Sequence, residues 1–149
     1  MITIITDSTC DVPEDLIEKY QIRIVPHVII WGEEEFRDRV DLSPQQFYQR
    51  LAVDPQRPTT SQATVADFLS AVNDAQDEGA TEVVILTVSS AMSGAYQMAC
   101  QAAERADIPI SVIDSKGPTI TLGWQALAAA RARDEGASQE DIVERAAEV

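Results

Sequence analysis

The chain predicts an α/β fold, a mostly parallel open sheet with helices on both faces, in three layers. Three observations predict it. Residues 83–88 are an aliphatic run with no polar alternation, the pattern of a parallel strand buried on both faces. A short Ser/Gly turn follows, and then residues 96–106 set Gln97, Gln101, Glu104 and Arg105 against Tyr96, Ala99, Cys100 and Ala103 at helical spacing. Strand and helix alternate along the chain as β-α-β-α-α-β-α-β-α-α, which right-handed crossovers turn into a Rossmann-like parallel sheet.

Residues 2–5 form the first strand and residues 6–11 the polar turn that leaves it. Asp11 and Glu14 have capping-box spacing, and Pro13 suits a first helical turn, so a helix follows. Residues 22–30 read as one long β-branched strand, interrupted at Pro26, which argues for an edge position or a bulge. His27 stands in it with no partner nearby in sequence and is read as structural. Residues 33–41 are a charged connector, at most a small hairpin. Ser43, Pro44 and Gln46 mark a helix start. Residues 55–62 make an extended, hydroxyl-rich loop restrained by two prolines. A helix from Val65 to Glu78 is capped by Thr64 with Asp67 and stopped by Gly79.

Residues 110–113 are the last strand, and Gly117-Pro118 turns the chain into an Ala-rich helix over 119–135. Ser138 with Asp141 caps a final helix that shows no stop signal before Val149, so a longer protein is expected. The crevice beyond the carboxyl ends of parallel strands is where such sheets bind ligands. The turn Ser89-Ser90-Ala91-Met92-Ser93-Gly94 lies there, and its hydroxyls and amides favour an anion. The plainer alternative is that Ser90 or Ser93 only caps the helix. Thr59, Thr60 and Ser61 make a second hydroxyl cluster at a helix entrance.

With 25 acidic against 11 basic residues the net charge is −14, which repels phosphate backbones, so no nucleic-acid partner is expected. Hydrophobic residues at 45% and charged residues at 24% set disorder aside and leave one domain over residues 1–149. No basic leader and no apolar run approaching about 20 residues is present, so a cytoplasmic protein without membrane insertion is expected. Cys10 and Cys100 have no metal or redox spacing; both are expected as free thiols, Cys100 on the buried face of its helix, with no metal or cofactor. P-loop, dinucleotide and nucleophile-elbow motifs are absent. Asp7, after the first strand, is read as tying down its turn. The enzymatic alternative is a phosphotransfer or acyl-transfer domain using Asp7 or Ser93, and a third reading is a ligand-free interaction domain.

Taken together, Thr6-Asp7-Ser8-Thr9, the Phe36-to-Ser43 connector, Pro58-Thr59-Thr60-Ser61-Gln62, Ser89 to Gln97 and Ile113-Asp114-Ser115-Lys116 resemble the DegV family of bacterial fatty-acid-binding proteins. The resemblance covers the whole chain as that family's N-terminal α/β domain. It departs at Ala63, where proline is usual, at Met92 and Ala95, and at Gly117 to Thr121. The resemblance implies a carrier rather than an enzyme. One long-chain fatty acid would lie between this domain and a C-terminal domain that this chain lacks. Carried over, the donors to its carboxylate are Thr60, Ser61 and Ser93, with the Gly94 amide as a fourth, and a fatty-acid kinase is the implied partner. An apolar interdomain face makes a homodimer a further expectation.

Overall fold

The structure, a computed structural model, describes residues 1–149. The elements are β1 (Ile2–Asp7), α1 (Glu14–Lys19), β2 (Arg23–Val25), β3 (Val28–Trp31), β4 (Glu34–Arg37), α2 (Pro44–Val53), β5 (Thr59–Ser61), α3 (Val65–Asp77), β6 (Glu82–Thr87), α4 (Ala95–Ala103), β7 (Ile110–Asp114), α5 (Ile120–Asp134) and α6 (Gln139–Ala147). The main sheet runs β2-β1-β6-β7 with every pair parallel.

Both faces of that sheet are covered, which is why its inner strands are apolar through Ile4-Ile5 and Val83 to Leu86. Ile4, Val84 and Leu86 pack with Leu122, Leu127 and Ile142 of α5 and α6. Ile5, Val83 and Ile85, the alternate set, pack with Phe68 and Val72 of α3 and Ala99 of α4. The α5 helix comes close enough to the turn after β1 that a Cβ at Gly123 would stand 2.4 Å from the Cys10 carbonyl oxygen.

The expected strand over 22–30 is two strands in two sheets. Pro26 has no N–H to continue the main-sheet ladder, so β2 ends at Val25 as an edge strand and the chain crosses to a second sheet. That sheet, β4-β3-β5, is antiparallel throughout. The charged connector supplies β4, the second arm of the β3–β4 hairpin, which turns at Gly32 with φ 68°. The hydroxyl-rich loop supplies β5. A small core of Ile29, Trp31 and Leu42, with Phe47 of α2 against it, holds this layer together, and the Arg50 guanidinium lies 4.5 Å from the Trp31 ring centre.

Four further local expectations are corrected. Asp11 does not cap α1: it adopts φ 51°, and Pro13 is the N-cap with no side-chain bond. The α4 helix turns Ala95, Ala99 and Ala102 inward, which leaves Cys100 half-buried while Cys10 is fully buried. Neither Ser90 nor Ser93 occupies the N-cap of α4, where Gly94 stands, although the Ser93 oxygen accepts from the first helical N–H, that of Ala95. The final helix ends at Ala147. The capping boxes at Ser43/Gln46, Thr64/Asp67 and Ser138/Asp141 form as the spacing predicts. No helix is long and apolar enough to cross a membrane.

Candidate functional site

The carboxyl ends of β1 and β6 are held together by Asp7. Its Oδ1 accepts from the Thr9 N–H at 3.0 Å and the Thr9 hydroxyl at 2.6 Å, and its Oδ2 accepts from the Val88 N–H at 2.7 Å. The side chain is fully buried. Burial pushes the carboxyl group up, but His27, Thr9 and the Val88 amide outweigh it and hold Asp7 below the usual carboxylate range. Three donors already occupy its two oxygens, so the carboxylate serves as a clamp on the turn.

The serines of the turn after β6 divide by what they bond. Ser89 is buried, and its oxygen accepts from the Ala91 N–H at 3.2 Å. Ser90 donates its hydroxyl to Asp114 at 2.5 Å and its N–H to the same carboxylate at 3.1 Å, which pins the turn to the end of β7. Burial raises the Asp114 carboxyl group, and the donors from Ser90 and Lys116 more than offset it, keeping Asp114 below its ordinary range. Ser115 likewise works within its own turn, its hydroxyl donating to the Gly117 carbonyl at 2.8 Å. Ser93, like Ser89, only accepts, from the Ala95 N–H at 3.2 Å, which leaves its own proton to donate, but unlike the buried Ser89 it lines a recess.

The second hydroxyl cluster reaches Ser93 through β5. Thr60 pairs with Ile29, and on an extended chain residues two apart share a face, so Thr60 lies on the face that carries Ile29 and His27. The His27 carbonyl accepts from the Asp38 N–H at 2.9 Å, continuing the hairpin's hydrogen bonding to that residue. Ser61 pairs with Val28 and belongs to the opposite face. A recess of about 330 Å³ is accordingly lined by Thr9, His27, Thr60, Gln62, Val88, Met92 and Ser93. Thr60 and Ser93, from stretches far apart in sequence, meet in it, and Ser61 does not line it.

Gly94 is tied to this arrangement by Gln62. Its N–H donates to Gln62 Oε1 at 2.9 Å, and a Cβ on Gly94 would come within 2.6 Å of that carboxamide. Gln62 thus links the two hydroxyl loops and keeps its own amide protons for the recess. Gly94 lines a neighbouring recess of about 390 Å³ with Ser90, Ser93, Tyr96, Gln97 and Cys100.

Two lining residues, His27 and Gln62, escaped the reading of the sequence as binding residues. The signal for His27 was Pro26, which ends the strand and leaves the next residue at the mouth of the crevice. A larger recess of about 900 Å³ lies at the opposite, amino-terminal edge of the sheet, but its cations are engaged. Arg23 pairs with Glu78, and Arg133 with Asp134 and the Tyr20 carbonyl.

The family described as "Uncharacterised protein, DegV family" matches residues 1–149. A DegV domain-containing protein of Clostridium perfringens is 39% identical over 142 residues, 95% of this chain and 50% of its own. Among solved structures, a protein of Eubacterium ventriosum described as stearic acid-binding is 31% identical with a TM-score of 0.87, covering 98% of this chain and 52% of that one. A Bacillus subtilis DegV described as a fatty acid binding protein is 30% identical with a TM-score of 0.89, over 99% of this chain and 52% of that one. The chain spans about half the length of the curated relatives it matches.

Proposed function

We propose, from the premise that this chain belongs to the DegV family, that it binds the carboxylate of a long-chain fatty acid and acts as a carrier. The observation that carries this reading is the recess in which Thr60 and Ser93 meet beside Gln62 and His27. A carboxylate leaving water needs several donors, because an unpaired buried charge is very costly. The Thr60 and Ser93 hydroxyls and the Gln62 amide are such donors, gathered without a lysine or arginine among the lining residues. The acyl chain needs only apolar wall, and each methylene it buries contributes about 0.8 kcal/mol. Ser61 and the Gly94 amide are secondary in this reading, the first for its strand face and the second for its bond to Gln62. A kinase that phosphorylates the presented carboxylate is the partner the reading implies.

Native mass spectrometry of the purified chain, followed by organic extraction, tests the proposal. A stoichiometric fatty acid is expected. Hydrogen bonds to a charged group are worth about 1.5–3 kcal/mol each, so Ser93→Ala and Thr60→Val should each weaken dodecanoate binding about 10- to 100-fold. Unchanged affinity in the double variant would refute the assignment.

A further inference from the structure

His27 is the residue of this recess that neither hydroxyl cluster accounts for. It is 7% exposed, and its Nε2 is buried with no hydrogen-bond partner. That nitrogen stands 3.6 Å from Asp7 Oδ1, beyond hydrogen-bond distance but well within reach of a charge. The ring also lines the recess with Thr60 and Ser93. Its backbone is fixed on both sides, the N–H donating to the Ser8 hydroxyl oxygen at 3.0 Å and the carbonyl accepting from Asp38. A buried imidazole held next to a buried carboxylate, with no partner of its own, is a polar group kept at a cost.

We infer that His27 is a binding residue for the anionic head group: its ring lines the recess with Nε2 turned to Asp7, and as an imidazolium it supplies the positive charge beside a carboxylate seated between Thr60 and Ser93. This inference rests on the fatty-acid reading above and adds that binding takes up a proton from solvent. An imidazolium between two carboxylates is favoured over one beside a single carboxylate, so the ligand raises the affinity of His27 for its proton. The charged groups facing the ring are Asp7 at the end of β1 and Asp38 after β4, with Arg39 and Asp11 next to Asp38. The sign follows: a ligand that binds together with a proton is held more tightly at low pH, and its affinity declines as pH rises, by up to about tenfold per pH unit for a single linked proton.

The test is calorimetric titration of the chain with dodecanoate between about pH 5.5 and 8.5. His27→Gln and His27→Leu are measured alongside, with circular dichroism confirming that each is folded. Comparing variants at one pH cancels the ionisation of the ligand itself. The wild-type affinity should fall with rising pH more steeply than that of either variant, and the Ser93→Ala variant should bind more weakly but keep the wild-type slope. Parallel slopes in wild type and both variants would overturn the role of His27 while leaving the fatty-acid reading standing. No dodecanoate binding by wild type at any pH would overturn both. A second readout does not depend on the variants. His27 is the single histidine of the chain, so its ring resonances titrate alone in an NMR spectrum. Saturating dodecanoate should raise the titration midpoint and dodecanol should not; an equal shift with both, or none with either, would overturn the inference.

Discussion

Replacing Asp7 by asparagine tests the clamp at the head of the sheet, and the structure sets its size. The carboxylate meets two donors at Oδ1 and one at Oδ2, two of the three being backbone N–H groups on different strand ends. A carboxamide has one acceptor atom. If its nitrogen takes the Oδ2 position it confronts the Val88 N–H, and if it takes the Oδ1 position it confronts the Thr9 N–H. Either way one buried N–H is orphaned and one charge-assisted bond is lost. The lost bond is worth about 1.5–3 kcal/mol and the orphaned donor about 1–3 kcal/mol, from which the lower cost of burying a neutral group subtracts, leaving about 3 kcal/mol. For a chain of this size that lowers Tm by roughly 6–12 °C. Urea unfolding at neutral pH reads the loss directly, and its pH dependence identifies the cause. The folded-state pKa of Asp7 is depressed, so its contribution is complete above the unfolded value of about 3.9 and disappears as pH falls through the folded value below it. The gap between wild type and Asp7→Asn should therefore not narrow between about pH 7 and pH 5 and should close only below about pH 4. A gap under about 1 kcal/mol at neutral pH, or one that narrows already near pH 6, would refute the clamp.

Gly123→Ala puts a methyl group against the Cys10 carbonyl oxygen, a backbone atom that cannot swing aside, and against Val12. It should cost about 1–3 kcal/mol in urea unfolding, and an unchanged midpoint would show that α5 does not press on the turn after β1. Gly94→Ala meets only the flexible carboxamide of Gln62. It should leave Tm nearly unchanged while weakening dodecanoate binding severalfold, since Gln62 is pushed from its place between the loops. Because the net charge is −14, raising the salt concentration from about 0.01 M to about 0.1 M should strengthen dodecanoate binding, as the screening length falls from about 30 to about 10 Å. Dodecanol titrated in the same buffers should show no such gain.

What the sequence disclosed and what it hid follow from the range over which each feature is determined. The central strands were legible because burial on two faces removes polar residues from a run such as Val83 to Leu86. The three capping boxes were legible because each is a code three residues long. The second sheet was not, because β5 is exposed at all three residues and carries no apolar signal; it exists through pairing with β3, some thirty residues earlier. The hydroxyl-rich stretch shows the same limit at finer scale. A Thr-Thr-Ser run names three hydroxyls but assigns none of them a direction. Strand register assigns it: Thr60 opposite Ile29 falls on the face of His27, and Ser61 opposite Val28 falls on the other. One residue of slip would exchange them, placing Ser61 in the recess and removing Thr60. The recess depends on Pro26 as well as on the hydroxyls, since the proline ends β2 where it does and the chain then enters the second sheet, whose β5 carries Thr60.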